Sequence, residues 1–269
     1  MTAPLAPSNA RLKELRKLSR RSVRSERRLF LADGPKAVEG ALSVEGCVQE
    51  ILCVPALADQ YAGATAPITL VSPEAMRGLS DSVSPAGVVA VCAFHAESGL
   101  PSPRVGASLA SSGGSGRALV AICADVRDPG NAGTVIRCAD AAGADAVVLA
   151  GDSVDLYNPK TVRASVGSVF HLPIAIERDP IAAVAAAKDA GLTVLAADMH
   201  GDADLFDADE LLARPTAWLF GNEAWGLPAE LAAQADHVVS IPIFGRAESL
   251  NLSTAAALCL YASARAQRA

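Results

Sequence analysis

The sequence lacks the signatures of several common enzyme classes. It has no G-x-x-x-x-G-K-[ST] phosphate loop, no G-x-S-x-G nucleophile elbow, no H-x-x-x-H pair and no G-x-G-x-x-G fingerprint. These absences argue against a phosphate-loop NTPase, an α/β-hydrolase and an ordinary dinucleotide oxidoreductase. The four histidines share no ligand spacing, so we expect no metal site.

Long apolar runs and paired cysteines are also missing. No run reaches 18 apolar residues and the N-terminus has no apolar signal-peptide core, so we expect neither a membrane span nor secretion. The first 28 residues are rich in Arg and Ser, and an organellar transit peptide is the alternative for them. The six cysteines lie scattered in apolar surroundings, as buried thiols do in a reducing compartment, and we expect a cytoplasmic location.

Positive charge is concentrated near the N-terminus of an otherwise acidic chain. The formal net charge is −6 over 269 residues, yet residues 11–28 hold nine Lys or Arg against two Glu, so the remainder carries −13. A basic arm on an acidic body suits attraction to a phosphate backbone. The alternative is an amphipathic helix that packs through Leu12, Leu15 and Leu18, and both interpretations can hold together.

The chain divides into two α/β segments. Residues 101–116, PSPRVGASLASSGGSG, have no hydrophobic periodicity and are typical of a flexible linker. After them, continuous apolar strands alternate with helices, which predicts a parallel sheet covered on both faces. The predicted division is a basic N-terminal arm at 1–28, a small α/β domain at 29–98, a linker at 99–116 and a larger α/β domain at 117–269.

Individual elements follow from the same patterns. In the first domain we predict strands at 48–54, 68–71 and 88–94 and helices at 35–42 and 73–79. In the second we predict strands at 118–124, 146–150, 192–197, 216–220 and 238–241, and helices at 132–142, 160–166, 181–190, 229–234 and 249–265.

Three segments place polar side chains and glycines where a predicted strand meets the next helix. They are DPGNAG followed by Arg137, then LFGNEAWG, and finally the stretch from Ile241 to Asn251. Ligands of parallel sheets bind at the carboxyl ends of the strands, so these segments are candidates for one site. They supply Arg, Glu, Asn and Ser but no His or Cys. This composition favours a site that binds and positions over one built on a nucleophile.

Each segment also has an ordinary structural explanation. Asn131 and Ser249 can be simple helix caps, and Arg137 can pair with Asp140 on a helix surface. Glu223 can be a solvated carboxylate in a turn. A further run at 158–167 can hold phosphate through basic and hydroxyl side chains, or can be one more connecting helix.

Taken in order, the three segments resemble the SpoU (TrmH-type) RNA ribose 2′-O-methyltransferases of the SPOUT superfamily. The motifs are DPGNAGTVIRCADAAGA, LFGNEAWGLP and IPIFGRAESLNLSTAAALCLY, all close to intact, and the resemblance covers residues 10–267. The N-terminal part is similar to the ribosomal-protein-like substrate-binding domain of that family. There the stretch RRLFLADG has Asp33 where many relatives have Glu.

This resemblance implies a fold, a cofactor and partners. The fold is α/β, with a parallel-sheet SPOUT methyltransferase domain that ends in a C-terminal trefoil knot and follows a small α/β ribosomal-protein-like substrate-binding domain. S-adenosylmethionine is expected to bind bent in the knot, held mainly by backbone groups, in a site completed across a homodimer interface. RNA is the expected partner, without a membrane or a metal.

The resemblance also implies roles for individual positions. The implied catalytic residues are Arg137, Asn131, Glu223, Ser249 and Asn251, and the implied cofactor-binding residues are Phe220, Gly221, Asn222, Gly226, Ile241, Ser249 and Leu250. From the basic arm and the run at 158–167, the expected RNA contacts are Arg20, Arg21, Arg27, Lys160, Arg163 and Ser165. Because arginine is effectively always protonated, we expect Arg137 to hold a phosphate and stabilise a developing alkoxide rather than act as the base.

The expected activity is S-adenosylmethionine-dependent 2′-O-methylation of a ribose in structured RNA, with large-subunit (23S) ribosomal RNA as the substrate. Transfer RNA is the alternative substrate. A non-catalytic RNA-binding or ribosome-assembly factor that retains the fold is the alternative function. A nucleotide-dependent oxidoreductase is a third, which the missing glycine fingerprint disfavours.

Overall fold

The computed structural model describes residues 3–98 and 117–269, so the predicted linker at 99–116 lies outside the described residues. The described chain forms two compact units. The first comprises residues 3–95 and 155–171, and the second comprises residues 96–98, 117–154 and 172–269. Residues 155–171 therefore pack within the first unit, although they follow the start of the predicted second domain. None of the helices in the described ranges has the length and apolar character needed to cross a lipid bilayer.

The first unit is built on a four-stranded sheet, with helices and strands numbered here in chain order. Its strands run β1-β4-β2-β3 across the sheet, with β4 antiparallel to both neighbours and β2 parallel to β3. They are β1 (Leu29–Asp33), β2 (Val48–Cys53), β3 (Ile68–Leu70) and β4 (Val88–Ala93). The helices are α1 (Ala10–Arg16), α2 (Arg21–Arg27), α3 (Pro35–Leu42), α4 (Pro73–Arg77) and α6 (Pro159–Ala164).

The basic arm forms α1 and α2, which are part of the first unit. Leu12, Leu15 and Leu18 are buried in its core, which confirms the amphipathic-helix interpretation of this face. Arg24 is buried too, forms an ion pair with Asp155 and donates to two backbone carbonyls at 2.7 and 2.9 Å. A buried arginine whose donors are already satisfied within the unit is not available to RNA.

The second unit contains an eight-stranded sheet in the order β10-β12-β9-β11-β6-β7-β8-β5, and every neighbouring pair is parallel. The strands are β5 (Glu97–Ser98), β6 (Leu119–Ala124), β7 (Ala146–Ala150), β8 (Ile174–Glu177), β9 (Thr193–Ala197), β10 (Ala203–Asp204), β11 (Thr216–Phe220) and β12 (His237–Ser240). Every residue of β6, β7 and β11 is buried, as predicted for a sheet covered on both faces.

Helices follow the strands of this sheet. They are α5 (Pro129–Ala142), α7 (Pro180–Asp189), α8 (Asp209–Leu212), α9 (Ala229–Ala232) and α10 (Leu252–Ala266). All five strands predicted for the second domain are present, each within one residue at either end. The patterns missed β1, β8 and the two-residue strands β5 and β10. The two-residue strands are too short to show a periodicity, whereas β1 and β8 are as long as predicted strands such as β7 and β12 and were overlooked.

The cysteines are free thiols, five of them buried and Cys138 partly buried. Burial raises the pKa of Cys123 to about 12 and also raises that of Cys259, so both stay neutral. Cys47 differs, because its interaction with the neighbouring thiol of Cys92 lowers its pKa. Most of these side chains therefore fill the core, as the sequence predicts.

Candidate active site

A cavity of about 550 Å³ opens at the carboxyl edge of the second unit's sheet. Three neighbouring strands, β9, β11 and β12, end at this cavity, and the segment after β12 lines another side. All seven residues predicted to hold the cofactor line it: Phe220, Gly221, Asn222, Gly226, Ile241, Ser249 and Leu250. Of the predicted catalytic residues, Glu223 and Ser249 line it, whereas Asn131, Arg137 and Asn251 do not.

The turn after β11 is closed tightly on itself. The backbone amide of Asn222 donates to the carbonyl of Gly226 at 3.0 Å, and the amide of Gly226 donates back at 2.9 Å. The side chain of Asn222 also accepts from the amide of Ala224 at 2.8 Å. A Cβ added to Gly221 would lie 2.4 Å from a backbone carbon of Gly226, so only glycine fits there.

Asn222 also holds a strained residue, Asp125, which directly follows β6. Asp125 has a φ of +55°, a left-handed conformation that costs a non-glycine residue about 1–3 kcal/mol. Asn222 Nδ2 donates to the Asp125 carbonyl at 2.6 Å, and Asp125 Oδ1 accepts from the amide of Asp152 at 2.7 Å. These contacts offset the strain and connect the ends of β11, β6 and β7.

A chain of hydrogen bonds joins all three polar segments. The Glu223 carboxylate accepts from the backbone amides of Arg127 at 3.2 Å and Asp128 at 3.1 Å. It also accepts from Asn131 Nδ2 at 3.2 Å. Asn131 Oδ1 in turn accepts from Asn251 Nδ2 at 3.0 Å. The negative charge of Glu223 therefore lies close to the positive N-terminal end of α5, where it is favourable.

Two helix starts differ from the sequence predictions. Asp128, not Asn131, caps α5, and its side chain accepts from the amide of Asn131 at 2.8 Å. Asn251, not Ser249, caps α10 and accepts from the amide of Ser253 at 2.9 Å. Proline has no backbone N–H and is favoured as the first residue of a helix, so α5 begins at Pro129 and Asp128 caps it. Because Asn131 is not the cap, its side chain is available for the contacts with Glu223 and Asn251.

Arg137 lies six residues beyond Asn131 on α5, which is about 9 Å along the helix axis. Its side chain is exposed, and no ion pair with it is present among residues 3–98 and 117–269. The surface pair with Asp140 that the sequence allows is therefore not formed. The helix buries Val135 and Ile136 and ends at Gly143 with a φ of +71°, as predicted.

The predicted RNA contacts all lie in the first unit. Arg20, Arg21 and Lys160 are exposed. Arg27 and Arg163 are partly exposed, and each forms an ion pair with an exposed carboxylate at 2.7 and 3.1 Å. Exposed pairs contribute only about 0–1 kcal/mol, so an RNA phosphate can replace either carboxylate.

Ser165 does not fit its predicted role. Its side chain is fully buried, and its hydroxyl donates to the carbonyl of Val162 at 2.7 Å. A buried hydroxyl that is already hydrogen-bonded cannot contact an RNA phosphate, so this prediction is wrong. The sequence pattern shows a polar residue in a basic run but does not show which face of the run is buried.

The sequence reasoning missed one side of the cavity, which the end of β9 forms. Ala197, Asp198, Met199 and His200 line it there, and Trp225 lines it from the turn after β11. The strand itself is predicted, but its place between β11 and β12 cannot be read from one sequence. In the described ranges, no cluster of three or more His, Cys, Asp or Glu is placed to hold a metal ion.

Two protein-family models match the chain. A model described as the SpoU rRNA Methylase family matches residues 118–261, more than half of the chain. A model described as an MRM3-like substrate binding domain matches residues 9–90.

Curated relatives agree with these matches. The 23S rRNA (guanosine(2553)-2'-O)-methyltransferase RlmP of Bacillus subtilis is 33% identical, over 94% of this chain and 95% of its own length. The 23S rRNA (uridine(2479)-2'-O)-methyltransferase of Streptomyces viridochromogenes is 43% identical, over 51% of this chain and 49% of its own.

Solved structures share the fold over the full length. The crystal structure of an RNA 2'-O ribose methyltransferase is 34% identical and has a TM-score of 0.81 over 99% of both chains. The SpoU methyltransferase AviRb from Streptomyces viridochromogenes, in complex with AdoMet, is 31% identical and has a TM-score of 0.80. That comparison covers 97% of this chain and 98% of the AviRb chain.

The role of Glu223 as a common acceptor can be tested by amide hydrogen exchange. In Glu223→Ala, we expect the amides of Arg127 and Asp128 to exchange about two- to tenfold faster, since each loses a hydrogen bond that contributes ~0.5–1.5 kcal/mol. Glu230→Ala, which removes an exposed carboxylate from α9, should leave these rates unchanged. Equal rates in the wild type and Glu223→Ala would contradict the proposed anchoring.

Proposed function

Because the chain belongs to the SpoU rRNA methylase family, we propose that it transfers a methyl group from S-adenosylmethionine to a ribose 2′-hydroxyl in large-subunit (23S) ribosomal RNA. The observation that carries this proposal is the cavity of about 550 Å³ at the carboxyl edge of the sheet. The second and third polar segments line it, and the Glu223–Asn131–Asn251 chain ties the first segment to both. The named relatives modify 23S rRNA, and AviRb binds AdoMet, which supports the substrate and the cofactor.

The cavity fits S-adenosylmethionine in size and chemistry. Its volume of about 550 Å³ lies within the range of small-molecule pockets, and Phe220, Ile241 and Leu250 give it an apolar wall. When bound, S-adenosylmethionine supplies a methyl group on a positively charged sulfur for attack by the ribose oxygen. An apolar wall solvates that charge poorly, which favours its loss during transfer. The C-terminal trefoil knot belongs to the same proposal, since residues 241–250 return to the cavity beside the turn after β11.

Arg137 is the charged residue that this proposal assigns to the substrate. A ribose hydroxyl is a poor nucleophile, so its orientation and the stabilisation of the developing negative oxygen supply most of the rate. Arginine stays protonated and binds phosphate through two N–H groups, which suits Arg137 to hold a substrate phosphate and stabilise the oxygen. The hydroxyl proton then leaves to that phosphate or to water. Glu223, Asn131 and Asn251 hold the start of α5 and thereby position Arg137.

Methyl transfer from tritiated S-adenosylmethionine to 23S rRNA transcribed in vitro tests the proposal. We expect the wild type to label one ribose, detected as a bond that resists alkaline cleavage because its 2′-oxygen is blocked. Arg137→Ala should lose about 10²- to 10³-fold in single-turnover rate, and Arg137→Lys should retain part of the activity through its charge. Arg178→Ala, which removes an exposed arginine elsewhere in the second unit, is the matched control.

Three outcomes would contradict parts of this account. Complete loss of methyl transfer in Arg137→Lys, with normal binding of RNA and cofactor, would contradict the role assigned to the charge of Arg137. Label found only in transfer RNA would overturn the ribosomal substrate. Cofactor binding without label in any RNA would favour a ribosome-assembly factor that retains the fold.

We further propose that the active unit is a homodimer in which Arg137 acts at the cavity of the second copy. Arg137 lies outside the cavity of its own chain. The helix α10, which packs against α5, exposes Leu258 and Tyr261, at 37% and 53% of their surfaces. Exposed apolar side chains on a helix pair next to the site suit an interface between copies.

Mixing two inactive variants tests this arrangement. Arg137→Ala removes the arginine and keeps the cavity intact. Leu250→Arg keeps Arg137 but blocks the cavity with a charged side chain, and Leu250 is partly exposed, so the protein should still fold. After exchange of subunits, mixed dimers have one complete site, and we expect about a quarter of wild-type activity to return. No recovery, with exchange confirmed by mass spectrometry, would place Arg137 and the cavity of one chain in the same site.

A further inference from the structure

Trp225 exposes an indole ring at the edge of the cavity. Its side chain is 55% exposed, whereas Trp218, the other tryptophan of the chain, is fully buried. Large aromatic side chains bury most of their surface in ordinary folded positions, so a half-exposed tryptophan beside a pocket presents its ring to a ligand. Trp225 also lines the cavity itself, so the exposed ring and the cofactor site are continuous.

The indole is carried by a turn of fixed shape. Two reciprocal backbone hydrogen bonds between Asn222 and Gly226 close the turn, and Gly226 has a φ of +70°. Glu223, two residues before Trp225, is bonded to the start of α5. A ring on such a turn is presented to a ligand without much loss of conformational freedom on binding.

Arg127 is brought to the same ring. Its backbone amide donates to Glu223, and its guanidinium carbon lies 5.1 Å from the centre of the Trp225 ring. The same guanidinium also lies 3.8 Å from a carboxylate oxygen of Asp152, in a loose and exposed ion pair. An arginine beside an exposed aromatic ring is a combination that stacks on unpaired RNA bases and binds the phosphates that join them.

We propose that Trp225 stacks on an unpaired nucleobase of the RNA substrate beside the target ribose, and that Arg127 binds the adjoining phosphate. The inference rests on the proposed function and adds a substrate-positioning contact to it. Sequence-tolerant RNA recognition relies on splayed bases that stack on aromatic side chains, and a ribose must leave regular helical RNA to reach a pocket of this kind. A stack next to the cavity holds the nucleotide in place while its ribose is methylated.

Intrinsic fluorescence and kinetics test the stack together. Addition of unmodified 23S rRNA transcribed in vitro should quench Trp225, while buried Trp218 provides a constant background, and the quench should vanish in Trp225→Phe. In Trp225→Ala, kcat/KM for the RNA should fall about tenfold or more, mainly through KM, with the affinity for S-adenosylmethionine changed less than twofold. Trp225→Phe should keep most of the activity because its ring still stacks. Arg127→Ala should raise KM and reduce its salt dependence.

Phe206→Ala is the matched control, since Phe206 is 52% exposed and does not line the cavity. It should behave as the wild type. Wild-type kcat/KM in Trp225→Ala would overturn the inference while leaving the methyltransferase proposal intact, whereas an inactive wild type would overturn the proposed function itself. Weaker binding of S-adenosylmethionine in Trp225→Ala would mean that the Trp225 ring contacts the cofactor instead of the RNA. A change of its oligomeric state in light scattering would place the ring at an interface between copies, and either result contradicts the stack on RNA.

Discussion

The carboxylate of Glu223 is the group on which the arrangement of the site depends. It accepts hydrogen bonds from the chain just before α5 and from Asn131, and Asn131 accepts in turn from the residue that caps α10. Three segments far apart in sequence are thereby held at one place by four contacts. Each of these hydrogen bonds contributes little to overall stability, about 1 kcal/mol or less where water competes. Their value is geometric, since a methyl transfer depends on the position of the attacking oxygen.

The parallel sheet makes this convergence possible. Strands β9, β11 and β12 are adjacent and point the same way, so their carboxyl ends meet at one edge. Buried apolar residues keep the strands in register beneath that edge, and the turn after β11 is so tight that only glycine fits at position 221. The strain at Asp125 lies at the same edge, where hydrogen bonds from neighbouring strand ends hold it. Rigidity of this kind suits a site whose chemistry is positioning.

Much of this could be predicted from sequence, for identifiable reasons. Long apolar runs predicted the buried strands, and the seven residues that the family motifs assign to the cofactor all line the cavity. Sequence could not say that Asp128 caps α5 while the Asn131 side chain turns to Glu223, because either residue can cap a helix. It could not show that Arg24 is buried and that Ser165 faces inward, since one polar residue in a basic run looks like any other. Arg127 and Trp225 meet only through tertiary folding.

The most direct test of the account is a crystal structure of the protein with S-adenosylhomocysteine. We expect the ligand in the cavity between the turn after β11 and residues 241–250, with the chain of these residues passing through a trefoil knot. We also expect Arg137 of a second copy to face the position of the missing methyl group. Ligand bound at another edge of the sheet, or an unknotted path for residues 241–250, would contradict it.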